Sequence, residues 1–429
     1  MTDTFGYRTK SSIDALRAEI AEGNTTVDEI DTPTLVIDLD AMDRNLARMK
    51  AFAEQHNVKL RPHSKLHKCA ELAKLQMEKG GAVGICVQKI SEAEAMAENG
   101  VTDIFISNEV VAESKLARVA ELYRSMALRG GKLTIAVDSV EGIDGLAAAI
   151  TSMLVTGTAL TNDDEDSAPP PAATTDDAPA QRLPPMGVFI EIEVGQKRCG
   201  CLPGAPAVAL ANCIKDYEGI LELAGLHAYH GWAQHVRSYD ERVKIIGQTA
   251  ASAKQTVEAL TSAGFRVPIV TGAGTGTFSI EATSGVYNEI QPGSYLVLDK
   301  DYGDNEADSR HPAFEHALFL KTSVMSRADD RVVLDAGHKS AAIDTGAPGV
   351  WGPLGKKGVV CDNGGDDHGV LRGPAGSLDG IQLRDTVWLV PNHCDPTFNL
   401  HDFVLGVRGR LQSGTVTKVF TVDARGCQW

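Results

Sequence analysis

The chain has 429 residues and a mass of 45.6 kDa, which suits two domains or one large α/β barrel with an appendage. Lys and Arg number 41 against 57 Asp and Glu, a net charge of −16 that repels phosphate backbones and argues against a nucleic-acid partner. Hydrophobic residues reach 43%, enough for a sizeable core, yet no apolar run approaches the ~20 residues that span a bilayer, so no membrane partner is expected.

The first twenty residues lack the apolar centre of a secretory signal. The eight Cys form no CxxC and no framework spacing, which predicts reduced thiols and an intracellular, cytoplasmic location, with organellar targeting left open. Residues 1–30 read as an N-terminal helix and arm. The body begins with DTPTLVIDLDAM, where Pro33 suits entry to a strand and Asp40 is the expected N-cap of a helix to about His56.

From residue 58 a rhythm sets in. Runs of β-forming residues recur at 58–62, 83–88, 102–108, 132–139, 187–195, 221–230, 267–272 and 287–299, separated by Ala/Glu/Lys/Leu-rich helical stretches. Gly100 closes one such helix as a C′ residue. Eight strands alternating with helices predict an α/β fold, a (β/α)8 TIM barrel over residues 31–305. The segment 161–185 holds six Pro, six Asp or Glu and one Arg. It has too little apolar surface to offset its ordering entropy, so 161–186 reads as a disordered acidic and Pro-rich insertion. Beyond residue 305 the helical period stops. Short strands between Gly-rich turns predict a second, mostly β domain over 306–429.

Three constellations carry chemistry. In LRPHSKLHK (60–68), Arg61, His63, Lys65, His67 and Lys68 crowd the end of the first barrel strand, the edge where barrels keep their functional groups. Burial there lowers a lysine pKa and leaves an amine able to form a Schiff base; the alternative is a solvated basic strand end. TGAGTGTF (271–278) follows the seventh strand. Small residues let backbone N–H groups converge on an anion, a following helix N-terminus would add its dipole, and barrels often bind phosphate there. A lysine at strand one and a phosphate cradle at strand seven together suggest pyridoxal 5′-phosphate (PLP). PNHCDPT (391–397) lies in the β domain. If it is extended, His393 and Asp395 emerge on one face and Cys394 on the other. One imidazole and one carboxylate, completed by water, suit Mn2+, Mg2+, Co2+ or Zn2+.

These motifs, with IDTPTLVIDLDAMDRNL, GLHAYHGWAQH and EIQPGSYLVLD, give the chain from about residue 30 onwards a close resemblance to the D-threonine aldolase and D-serine dehydratase group. These are fold-type III PLP enzymes with a barrel similar to that of alanine racemase. The resemblance implies that Lys65 holds the cofactor and that Gly274, Thr275 and Gly276 contact its phosphate. It places Gln88, Arg198 and Tyr229 around the cofactor, with Tyr229 beside the pyridine nitrogen. It makes His393 and Asp395 a metal pair, Mn2+ first among the candidates; the D-serine branch typically carries His-x-Cys there instead. His227 departs from the Gln often found at its position. A homodimer is implied, with the β domain of one subunit near the barrel mouth of the other.

The implied activity is retro-aldol cleavage of D-threonine and related β-hydroxy-D-amino acids to glycine and an aldehyde. His63, beside Lys65, is a candidate proton carrier. The competing reading is β-elimination from D-serine or D-3-hydroxyaspartate, giving a keto acid and ammonia. A PLP carrier without activity would lack the β domain, and a racemase would need a second acid/base that no motif identifies.

Overall fold

The computed structural model describes residues 10–23, 25–159, 183–307 and 311–429. Its first strand, β1 (Thr34–Asp38), precedes eight short parallel strands: β2 (Lys59–Leu60), β3 (Ile85–Val87), β4 (Asp103–Ile106), β5 (Lys132–Val137), β6 (Met186–Glu191), β7 (Leu221–Ala228), β8 (Ile269–Gly272) and β9 (Glu289–Ile290). These eight are the strands the sequence rhythm predicts. They pair in the order β2-β9-β8-β7-β6-β5-β4-β3. The Cys86 N–H donates to Pro62 O at 2.9 Å and His63 bridges Cys86, so β2 meets β3 and the sheet closes into a barrel.

The strands read as continuous buried runs because helices cover their outer faces. Cys86, Phe105, Ala136 and Phe189, from four successive strands, fill the barrel interior with one side-chain cluster. The helix Ile90–Glu98 ends as expected, with Gly100 at a φ of +86°.

The later strands are β10 (Leu318–Ala328), β11 (Arg331–Leu334), β12 (Gly349–Val350), β13 (Val360–Asn363), β14 (Gly369–Arg372), β15 (Thr386–Val390), β16 (Phe403–Arg408) and β17 (Thr415–Thr421). They form a sheet in the order β13-β14-β11-β10-β1-β16-β17, with β15 beside β10 and β12. β1 therefore belongs to this sheet, antiparallel to β10 and parallel to β16. Residues 31–38, assigned by sequence to the barrel domain, sit at the centre of the β domain instead. The apolar run TLVID specifies a buried strand but not its neighbours, which lie roughly 280 and 370 residues away. The helix Lys10–Ala21 packs Leu16 and Ile20 into the same β-domain core.

Two boundaries change. The helix Leu39–Gln55 is capped by Asp38, whose carboxylate accepts from the N–H groups of Asp40 and Ala41. Asp40 lies in the first turn and pairs with Arg408 at 2.7 Å. Most of the 161–186 insertion lies outside the described residues, but its last four residues do not behave as insertion. Leu183 packs on the barrel core, Pro184 O accepts from the Tyr123 hydroxyl, and Met186 opens β6. Among the described residues no helix is long and apolar enough to cross a membrane, and all eight cysteines are free.

The two domains meet at the barrel mouth. The Lys300 and Asp301 N–H groups donate to Pro391 O and Asn392 O, and the Cys394 N–H donates to Asp299 Oδ2, each at 3.1 Å. These bonds pin the 391–397 loop beside the segment that follows β9.

Candidate active site

One cavity lies at the C-terminal ends of the barrel strands. Its wall includes His63, Lys65, Gln88, Arg198, Tyr229, Gly274, Thr275, His393 and Asp395. Nine of the ten site residues picked out by sequence are thus brought together from segments more than 300 residues apart.

The basic cluster at 60–68 divides. Arg61 points into the barrel, 3.1 Å from Glu289 and 2.6 Å from Asp103. His67 is buried, 3.1 Å from Gln76 Oε1, and Lys68 pairs with Glu92 and Asn399. Only His63 and Lys65 reach the cavity. They can because the strand gives way to the 3-10 turn Ser64–Leu66, which His63 caps. The cap fixes the ring. Nδ1 accepts the Lys65 N–H at 3.3 Å, so Nε2 carries the hydrogen it presents to Gln88 Oε1 at 2.7 Å. Burial, and then Lys65, hold the His63 pKa well below 6.5. A neutral ring with both nitrogens engaged aims Lys65; it has no vacant lone pair for a proton.

Lys65 corrects one expectation. Burial does pull its pKa down, but the proximity of Tyr229 and Asp395 outweighs it and the net shift is upward. Desolvation therefore does not free the Lys65 amine in this cavity.

The 271–277 loop is wholly buried. The N–H groups of Gly274 and Thr275 find no acceptor among the described residues, and Ser294 shares this part of the wall. Buried donors without acceptors fit an anionic group such as the PLP phosphate. Gly276 is not brought to the cavity: its N–H donates to Gln234 Oε1 at 3.1 Å. Both glycines are fixed by that neighbour, since a Cβ at Gly274 would lie 2.5 Å from Gln234 Oε1 and one at Gly276 2.3 Å from Gln234 O. The helix that follows has six residues, Phe278–Thr283.

Arg198 lies 5.8 Å over the Tyr229 ring and 4.0 Å from the Glu191 carboxylate. His227 stacks parallel to Tyr229 at 6.4 Å and donates to Glu191 at 2.8 Å.

The 391–397 segment is not extended throughout. His393 caps the short helix Cys394–Phe398, and Cys394 is buried beneath it. The cap still leaves His393 Nε2 3.9 Å from Asp395 Oδ1. That oxygen is buried without a partner, and His393 Nδ1 is held by Asp344 Oδ2 at 2.9 Å. An anchored imidazole facing an unsatisfied carboxylate fits a divalent ion with two protein ligands. No cluster of three or more metal-binding side chains occurs among the described residues.

Sequence reasoning missed several members. Ser107, Gln291 and Tyr302 line the cavity, as does His235. His235 is held at Nδ1 by Asp301, which Arg237 clamps. His235 stood in the quoted GLHAYHGWAQH, just beyond a strand end, and position alone could have flagged it. Nothing in the sequence pointed to Asp344.

Comparison with known proteins agrees with this geometry. The family model "Alanine racemase, N-terminal domain" matches residues 37–301 and the model "Putative serine dehydratase domain" matches residues 317–407. A 3-hydroxy-D-aspartate aldolase of Paracoccus denitrificans is 37% identical over 99% of this chain and 98% of its own. A D-threonine aldolase of Arthrobacter is 39% identical over 92% of this chain and 93% of its own. The crystal structure of a D-threonine aldolase from Filomicrobium marinum is 40% identical, covers 94% of this chain and 98% of its own, and superimposes with a TM-score of 0.82. A D-threo-3-hydroxyaspartate dehydratase of Delftia is more distant, 26% identical over 86% of this chain and 92% of its own.

Proposed function

Because the chain belongs to the alanine-racemase-like family that includes the D-threonine and 3-hydroxy-D-aspartate aldolases, we propose that it is a PLP- and metal-dependent aldolase of β-hydroxy-D-amino acids. It cleaves D-threonine and related substrates between Cα and Cβ, releasing glycine and an aldehyde. What supports this most is one observation: Lys65 and the donors of Gly274 and Thr275 share a single cavity with His393 and Asp395 of the other domain.

In this reading the Lys65 amine holds PLP, and Gly274, Thr275 and Ser294 hold its phosphate. Bound there, PLP supplies an electron sink for the bond broken at Cα. His393 and Asp395 hold a divalent ion, Mn2+ by preference, which supplies a Lewis acid for the β-hydroxyl. The remaining tasks fall to the chain's own side chains. His63 and Gln88 fix the direction of Lys65. His235 offers an imidazole whose Nε2 makes no hydrogen bond among the described residues while Nδ1 is anchored by Asp301. It is placed to accept a proton in the cavity, a role His63 cannot fill in this geometry. A homodimer and an intracellular location belong to the same reading. Trp232 and Leu202, 60% and 66% exposed, are apolar surface that a second copy would cover.

The products decide the function. Incubation with D-threonine, D-serine and D-3-hydroxyaspartate, with and without Mn2+, should give glycine from the first and third. A keto acid and ammonia instead would make the protein a dehydratase.

A further inference from the structure

His227 brings an unanswered hydrogen-bonding group to the cavity. The ring is 2% exposed, packs edge-on against Phe105 at 5.5 Å, and forms part of the cavity wall. Its Nδ1 lies 2.8 Å from Glu191 Oε2. A carboxylate can only accept, so Nδ1 carries a hydrogen, and in the neutral ring Nε2 presents a lone pair. That nitrogen is buried and has no partner among the described residues. Buried polar atoms are rarely left so, and an open acceptor on a cavity wall marks the place of a ligand donor.

The anchor behind the ring is built. Burial raises the Glu191 pKa, but the hydrogen bond from His227 and the nearby Arg198 guanidinium oppose it, and the net shift is downward. Glu109, next to Glu191, is pushed up to about 7 by burial and by Glu191 itself. Glu191 therefore keeps the charge that orients the imidazole.

Resting on the PLP reading above, we propose that His227 Nε2 accepts the hydrogen bond of the cofactor's protonated ring nitrogen, with Glu191 as its positioning residue. The chemistry of the cavity agrees with this. The aldehyde belongs to Lys65 and the phosphate to the 274–275 donors. The anionic phenolic oxygen suits the Arg198 guanidinium. The ring nitrogen, a donor when protonated, suits a neutral imidazole acceptor. Tyr229, which the sequence resemblance put in this role, carries Arg198 over its ring face.

The test compares PLP with its 1-deaza analogue, in which a C–H replaces the ring nitrogen. Affinities are measured on the full chain by titration of the visible absorbance of bound cofactor. His227→Asn keeps a donor towards Glu191 and deletes Nε2. It should weaken PLP binding about tenfold or more and leave the deaza analogue unchanged. Glu191→Gln should show the same selectivity with a smaller loss, and it gives the reading if the asparagine variant does not fold. Equal losses for both cofactors, or no loss for PLP, overturn the assignment. Failure of the wild type to take up PLP at all overturns the cofactor reading and this inference together.

Discussion

Asp344 holds His393 from behind: its Oδ2 lies 2.9 Å from Nδ1, which turns Nε2 towards the unpartnered Oδ1 of Asp395, 3.9 Å away. An imidazole tethered in this way is fixed in tautomer and direction before any ion arrives. Asp344→Ala should therefore weaken Mn2+ binding roughly 10- to 100-fold, and excess metal should restore activity. Asp395→Ala removes a ligand and should not be rescued. Calorimetric metal titration with turnover of D-threonine at graded Mn2+ checks both. Full activity of exhaustively chelated protein would leave the 393–395 pair without a metal role.

Lys65→Ala should abolish covalent attachment of PLP, because only an amine can make that bond. The visible absorbance of the bound cofactor should be absent and turnover lost, while far-ultraviolet circular dichroism stays unchanged. A variant in which borohydride reduction still fixes the cofactor irreversibly to the denatured chain would move the attachment to another lysine.

Deletion of residues 161–182 behind a short Gly/Ser link should leave folding and turnover nearly intact. A long insertion costs little loop-closure entropy, and this one offers few apolar side chains to a core. The cut must stop before Leu183, because Leu183 packs on the barrel and Met186 begins β6. Extending it through residue 186 should lower the melting temperature, which differential scanning calorimetry of the two deletions would show.

Glu281 should impose a pH dependence on stability. Its side chain is 1% exposed, and burial raises its pKa to about 7 against the lowering effect of the Thr277 hydroxyl. The fold thus favours the protonated form. Stability is complete below the unfolded value of 4.5 and is lost as pH rises through about 7. The loss is bounded at roughly 3 kcal/mol. Glu281→Gln keeps the shape without the charge, so it should be more stable than wild type at pH 8.5, by on the order of 1–2 kcal/mol after the cost of its extra N–H. At pH 5 it should show no gain. Equal differences at both pH values in urea unfolding would sink this account.

The sequence by itself determined the barrel, because eight β-rich runs alternating with helical stretches are a local pattern that survives without knowledge of contacts. It also marked three segments that meet at one cavity, since RPHSK, TGAGTGT and HCD hold residue types whose chemistry is intrinsic. The tertiary structure decided what adjacency in the chain cannot. β1 joined the far domain because strand pairing depends on partners roughly 280 and 370 residues away. Within one nonapeptide, Arg61, His67 and Lys68 turned to ion pairs and the core while His63 and Lys65 turned to the cavity, because a 3-10 turn breaks the strand's alternation. Gly276 left the cavity for Gln234, and Asp344, Glu191 and His235 entered the site's network. Each of these depends on a side chain finding a partner distant in sequence, and that is settled by packing, not by composition or spacing.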